Sequence, residues 1–166
     1  NHRGSSFGSL GLGKQPTQQQ FENDMYFKVV RELNDNKVYI ESESRKIGKL
    51  VIPEALWEKM EQAKYVKISM DINRRIANLI DEYGQFDKKN LEKKILNMEK
   101  RLGGRNVKVA LNYISKAKKE DFCRLLLMSY YDKTYAHSFE KRKNEKMSIA
   151  INSQSFSQIA KQLESL

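Results

Sequence analysis

The chain holds 166 residues, enough for one ordinary domain, and 39% apolar residues with only 2 Pro exclude a disordered or low-complexity polymer. One cysteine, Cys123, excludes a disulfide framework and a cysteine-rich zinc site, and no apolar run reaches the roughly 20 residues of a membrane span. With 31 Lys and Arg against 21 Asp and Glu the net charge is +10, which points to a polyanionic partner, nucleic acid or phosphates, for a soluble cytoplasmic domain.

The chain starts at Asn1 with no strand or helix before it, and so reads as the cut end of a longer protein. Residues 1–15 carry Gly4, Gly8, Gly11 and Gly13 without apolar periodicity, the composition of a loop. Thr17-x-x-Gln20, after Pro16, is a capping box, and Phe21, Met25, Val29 and Leu33 continue it as a helix. Val38-Tyr39-Ile40 reads as a short strand, and Ile47, Leu50, Val51 and Ile52 form an apolar patch of open state. Pro53 suits the first turn of a helix carrying Leu56, Trp57 and Met60, and Tyr65–Met70 is a second strand. Ile72, Ile76, Leu79, Ile80 and Tyr83 mark a helical face that Gly84 stops. Leu91, Ile95, Met98 and Leu102 mark another, ended by Gly103-Gly104. Helices over 107–116 and 120–131 follow, then a strand over 147–151 and a last helix through Phe156, Ile159 and Leu163. This order argues an α/β fold with a mostly parallel sheet: an α/β part over 16–84, a basic helical block over 85–145, and a closing strand and helix over 146–166.

Gly8-Ser-Leu-Gly-Leu-Gly13-Lys14 matches the start of a phosphate-binding P-loop, G-x-x-x-x-G-K. The match fails on chemistry. Gln15 stands where a metal-binding hydroxyl belongs, the helix starts only after Pro16, and no buried strand precedes Gly8. A flexible loop is the plainer reading, with Arg3, Ser5 and Ser6 as candidate phosphate contacts. Glu41 follows a strand-like segment, the layout that places an acid near Mg²⁺ and phosphates, although any acid at a strand edge looks the same. Arg45 reaches either Glu41 or a phosphate. Asp71, Arg74 and Arg75 sit at a strand-to-helix junction, the ligand-binding end of α/β sheets. His2 and His137 lack companions at metal-ligand spacing, so no zinc site is expected. Cys123, inside the apolar run 122–128, reads as a buried inert thiol. Most of the excess charge comes from Lys88, Lys89, Lys93, Lys94, Lys100, Arg101, Lys116–Lys119 and the run Lys141–Lys146, and Lys133 with Tyr135 lies in an aromatic, basic stretch. Their spread suggests a broad electrostatic footprint on nucleic acid without a base-reading code, although each run alone also fits a solvated face.

Several blocks go further than composition. His2-Arg3-Gly4-Ser5-Ser6-Phe7-Gly8, Gln15-Pro16-Thr17-Gln18, Ile40-Glu41-Ser42-Glu43-Ser44-Arg45-Lys46-Ile47-Gly48 and Ile52-Pro53-Glu54-Ala55-Leu56-Trp57 resemble the C-terminal half of tRNA 2-selenouridine synthases. Arg75, Asp81-Glu82-Tyr83-Gly84, Arg101-Leu102-Gly103-Gly104 and Tyr130-Tyr131-Asp132-Lys133 resemble that family's later blocks, so the likeness spans about residues 1–143 in order. The resemblance implies a truncated P-loop-NTPase-like parallel sheet flanked by helices, within an enzyme that joins a rhodanese domain with a catalytic cysteine to a P-loop domain. Such enzymes convert wobble 2-thiouridine of tRNA to 2-selenouridine, alkylating sulfur with geranyl pyrophosphate and then replacing it with selenium from selenophosphate.

The rhodanese domain and the P-loop are missing from these residues, so the chain is expected to be catalytically incomplete without that N-terminal portion, on the same or a separate polypeptide. Carried over, Arg3, Ser5, Ser6, Arg45, Arg74 and Arg75 become phosphate or substrate contacts, with Arg75 as a lid-type arginine, and Glu41 and Glu43 stand near a Mg²⁺. Lys88, Lys89, Lys93, Lys94, Lys100, Arg101, Lys133, Tyr135, Lys141 and Arg142 are the expected tRNA contacts. No membrane partner is expected. Two other classes stay open: a basic RNA-binding or assembly module without catalysis, and a small-molecule kinase-like domain, which would need the missing phosphate loop.

Overall fold

Thr17 starts the first helix as its sequence requires. In a computed structural model of the protein, which describes residues 13–32, 38–42, 44–83, 87–141, 143–151 and 156–164, helix α1 runs Gln18–Glu32. The Thr17 hydroxyl accepts the Gln20 backbone N–H at 3.2 Å, one half of the capping box. The Gln20 side chain does not return the bond and instead donates to Asp24 Oδ1 at 2.6 Å. The chain divides into two compact units, Asn1–Lys64 with Gln154–Leu166, and Tyr65–Ser153.

In the first unit the apolar patch after Arg45 is a tight hairpin. Strands β1 (Lys46–Ile47) and β2 (Leu50–Val51) pair antiparallel, Ile47 opposite Leu50, and Gly48 at φ +64° takes the left-handed turn position. Leu50 and Ile52 are buried beneath it. Two side-chain amides complete its hydrogen bonding. Gln15 donates to Ile47 O at 2.9 Å and accepts the Lys49 N–H at 2.8 Å. Gln18 donates to Val51 O at 2.7 Å and accepts the Val51 N–H at 2.9 Å. An amide side chain carries the same donor and acceptor as a peptide unit, so the two glutamines do for this hairpin what a neighbouring strand does in a larger sheet. Helix α2 (Glu54–Gln62) starts directly after Pro53, and its first-turn Glu54 pairs with Arg45. The last helix, α9 (Phe156–Glu164), buries Ile159.

Residues 38–40 correct the sequence reading, because they form no strand. β-propensity holds a strand only where a neighbouring ladder accepts it. Val38, Tyr39 and Ile40 stay about half exposed, and Tyr39 donates its hydroxyl to Leu163 O.

The second unit is an α/β arrangement with a small parallel sheet flanked by helices. Strands β3 (Tyr65–Met70) and β4 (Lys146–Ile151) pair in parallel from Tyr65 opposite Lys146 to Met70 opposite Ile151. Between them run α3 (Ile72–Tyr83), α4 (Lys88–Asn97), α5 (Glu99–Leu102), α6 (Gly104–Ser115), α7 (Lys119–Leu126), a π-helical segment (Leu127–Tyr131) and α8 (Asp132–Lys141). The described residues therefore hold one parallel and one antiparallel pair of strands, less sheet than the element order suggested.

The apolar stripe of α4 and α5 behaves as its spacing predicts: Ile95 is fully buried at 0% exposure, with Met98 and Leu102 beside it. Gly103 ends α5 at φ +83°, whereas Gly104, expected to share that role, opens α6. Helix α6 buries Val107, Ala110 and Ile114, and α7 buries Phe122, Cys123 and Leu126. The expected end of the helix at Tyr131 is a second correction. No Gly or Pro lies between Leu126 and Lys141, so the helix accommodates one wider π turn and continues through the Tyr130–Tyr135 stretch. The Gly84 stop lies outside the described residues.

Candidate nucleic-acid and phosphate interface

Strand β3 ends at Met70, and Asp71 caps the helix that follows: its Oδ1 accepts the Asn73 N–H at 2.8 Å and the Arg74 N–H at 3.3 Å. This puts Arg74 and Arg75 in the first turns of α3, at the carboxyl end of a parallel strand, where α/β folds gather their ligands. A third arginine joins them. Arg124 of α7 donates to Asn73 Oδ1 at 2.8 Å, a placement that no sequence signal announced because Arg124 sits in an apolar run. Arg75 is half-buried and bonded at 2.5 Å to Asp132, which ties α3 to the start of α8. The pairing neutralises one positive charge at this end of the sheet and fixes the direction of the guanidinium.

Around the helical block, Lys88, Lys89 and Lys93 of α4 and Lys100 and Arg101 of α5 are exposed, while Lys94 is half-buried. Lys88 lies 4.0 Å from Glu92, the far limit of an ion pair. Arg101 donates to the Tyr130 hydroxyl at 3.2 Å, which joins the basic face of α5 to the π segment. The Tyr130 and Tyr131 rings meet edge to face at 4.9 Å, and Tyr131 stacks on Tyr135 at 6.4 Å between centroids. Lys133, Tyr135 and Lys141 are exposed on α8. A second cation–aromatic group was missed in the sequence, since its parts lie far apart along the chain. Lys67 of β3 and Lys146 of β4 each stand 5.2 Å from the Phe139 ring centre, and Tyr65 packs on the same ring at 5.4 Å.

Glu41, exposed, and Arg45, paired with Glu54, belong to the first unit. Arg3, Ser5, Ser6, Glu43 and Arg142 lie outside the described residues, as does most of the Gly8–Lys14 motif. Among the described residues no group of three or more His, Cys, Asp or Glu is placed to hold a metal ion. Cys123 is buried, and loss of solvent pushes its thiol from 9.0 up to about 11, the behaviour of an inert core cysteine. No helix among the described residues is long and apolar enough to cross a membrane.

The second unit thus exposes cations on α4, α5 and α8, sets Arg101 against the Tyr130 hydroxyl, and gathers arginines at the end of β3, chemistry suited to polyanions. Residues 1–165 match the family model described as the tRNA 2-selenouridine synthase AAA domain. The chain belongs to the tRNA 2-selenouridine synthase family. It is 29% identical to the tRNA 2-selenouridine synthase of Shewanella frigidimarina, over 87% of this chain and 47% of that protein. The synthase of Shewanella oneidensis is 28% identical over 86% of this chain and 46% of its own length. The synthase of a Sulfurovum species is 26% identical over 85% and 46%. The chain therefore spans about half the length of these curated relatives. No solved structure matches it. In this member of the tRNA 2-selenouridine synthase family, Gln15 and Gln18 of the Gln15-Pro16-Thr17-Gln18 block and Gly48 of the Arg45–Gly48 block build the hairpin.

Proposed function

We propose that the chain is the phosphate- and tRNA-contacting part of an enzyme that converts wobble 2-thiouridine to 2-selenouridine. In this reading the thiocarbonyl sulfur attacks the geranyl carbon of geranyl pyrophosphate and pyrophosphate departs. Selenium delivered as selenophosphate then displaces the geranylated sulfur, which leaves as geranylthiol, and water cleaves the selenium–phosphorus bond to release phosphate. The work of this chain is electrostatic. Arg74, Arg75 and Arg124 face anionic groups at the end of β3, and the α4–α5 lysines meet the tRNA backbone. Arg3, Ser5 and Ser6 are proposed as further phosphate contacts, and Glu41, Glu43 and Arg45 as the acidic block near them. The remaining machinery comes from an N-terminal portion carrying the rhodanese and P-loop parts. The single observation that carries the reading is the family match over residues 1–165.

The test is mass spectrometry of tRNA nucleosides from source cells with and without the gene, complemented by the full-length protein. Loss of 2-selenouridine with retention of the thio or geranylthio precursor is expected. Restoration by wild type but not by Arg3→Ala or Glu41→Gln then assigns those residues. A basic RNA-binding module without catalysis is the second reading, favoured by the exposure of Lys89, Lys93 and Lys100. It predicts that deletion leaves 2-selenouridine in place, a result that overturns the enzymatic reading.

A further inference from the structure

Helices α7 and α8 are two parts of one continuous helix, joined through the π-helical segment Leu127–Tyr131. The Asp132 N–H bonds to Leu127 O, five residues back, and the Thr134 hydroxyl donates to Tyr130 O at 2.8 Å beside the widened turn. Each residue of an α-helix turns the chain by about 100°, so one surplus residue turns everything beyond it back by about that angle. The burial pattern records the shift. A straight continuation of the buried positions Phe122, Cys123, Leu126 and Leu127 passes through Lys133, Thr134 and His137, which are all exposed. Tyr131, Asp132, Ala136 and Phe139 are half-buried in their place.

The same shift brings two polar side chains to one side of the helix. Arg124 and Asp132 lie eight residues apart, about 80° around an uninterrupted α-helix but only about 20° when the π turn takes up one residue. Both meet α3. Arg124 donates to Asn73 Oδ1 at 2.8 Å, and Asp132 Oδ1 accepts from Arg75 Nη2 at 2.5 Å. With side chains 26% and 40% exposed, the Arg75–Asp132 pair is too open to water to contribute much to stability. What it fixes is a direction. A guanidinium carries its donors in one rigid plane, so a short bond at one Nη aims the others.

We infer that Asp132 is a positioning residue, swung against α3 by the π turn to aim the Arg75 guanidinium at a phosphate group beyond the end of β3. The phosphate target rests on the proposed function; the pairing and the turn that creates it rest on geometry alone. A carboxylate beside an arginine acts on anion binding in two opposite ways. Its charge repels the anion, and its hydrogen bond orients the donor. Where orientation outweighs repulsion, removing Asp132 weakens anion binding although the site becomes more positive.

Equilibrium binding of inorganic pyrophosphate to the full-length protein reads that sign. Arg75→Ala is expected to weaken binding at least tenfold and Asp132→Ala at least fivefold, both with melting temperatures close to wild type. Asp132→Asn keeps an acceptor oxygen without the charge and is expected to bind at least as tightly as wild type. In an Arg75→Ala background, Asp132→Ala is expected to change affinity by less than twofold, because its effect passes through the arginine. Four results overturn the assignment: an Arg75→Ala protein that binds as wild type, an Asp132→Ala protein that binds as tightly as wild type or more so, an Asn variant as weak as the Ala variant, or an equal loss with and without Arg75. Any of them, obtained where gene deletion still abolishes 2-selenouridine, removes the role of Asp132 and leaves the enzymatic reading standing.

Discussion

Replacing Lys89, Lys93 and Lys100 together by Gln isolates the electrostatic part of tRNA binding. These three side chains are exposed, whereas Ile95, Met98 and Leu102 of the same two helices are buried, so the substitutions leave the packed stripe untouched. Stability is expected to change by no more than about 0.5 kcal/mol. Removing one lysine–phosphate pairing makes the plot of log affinity against log salt shallower by about 0.7–0.9, and removing three makes it shallower by about 2–3. Over a fourfold rise in salt, from 50 to 200 mM, the wild-type advantage then shrinks by roughly 20–40-fold. Fluorescence anisotropy of labelled tRNA, titrated with the full chain at several salt concentrations, reads this slope directly. A triple variant with the wild-type slope, even one of lower affinity, refutes the placement of this face on the RNA backbone.

Other substitutions test the framework beneath that face. Ile95→Ala, at a fully buried site, is expected to cost about 2–5 kcal/mol, seen as a lower urea midpoint with an unchanged m value. Gly103→Ala meets no atom within 4 Å, so its expected loss of about 1–3 kcal/mol is backbone strain alone and shows in the same unfolding curve. Gln18→Ala removes both amide hydrogen bonds to Val51 and is expected to cost about 1–2 kcal/mol, whereas Gln18→Glu keeps only the acceptor and recovers little. Cys123, raised from 9.0 to about 11, holds about 100-fold less thiolate at pH 8 than an ordinary thiol. The greater nucleophilicity of a high-pKa thiolate returns roughly eightfold, so iodoacetamide should react about tenfold more slowly with the native chain than with the urea-unfolded one. A raised thiol pKa favours the folded state below pH 9.0, and that contribution fades as pH climbs towards 11; equal native and unfolded alkylation rates at pH 8 would contradict the burial.

Periodicity carried the helices well because each buries a stripe whose spacing is local. Leu91, Ile95, Met98 and Leu102 announce their own geometry, as does Thr17 with its capping hydroxyl. Strands were harder to read, since a strand exists only through its partner. Val38–Ile40 has strand composition and no ladder, while the patch at 47–52 looked indefinite until Gly48 and the two glutamines closed it into a hairpin. The π turn left no mark in the sequence, for one surplus residue in a helix changes no periodicity over a single turn. Of the site, the exposed lysines were legible as charge, but Arg124 and the Lys67–Phe139–Lys146 group were not, because they meet only after chain segments distant in sequence are folded together.

The parallel pairing of β3 with β4 has a kinetic consequence. Ser69 donates to Ile149 O across 80 residues of chain, and every helix of the second unit lies inside that span. Joining these strands closes a long loop, whose entropy is recovered only once the enclosed helices have already shortened it. Several helices meet near neighbours, α4 with α6 and α6 with α7, pairings that form quickly because they are local, while α3 packs on α7 across a longer stretch of chain. Topology therefore predicts an order for this unit, the helical block condensing first and the sheet sealing it last. The same order predicts that amide protons along β3 and β4 exchange through openings that leave Ile95 and its neighbours packed, which native-state hydrogen exchange in low denaturant reads.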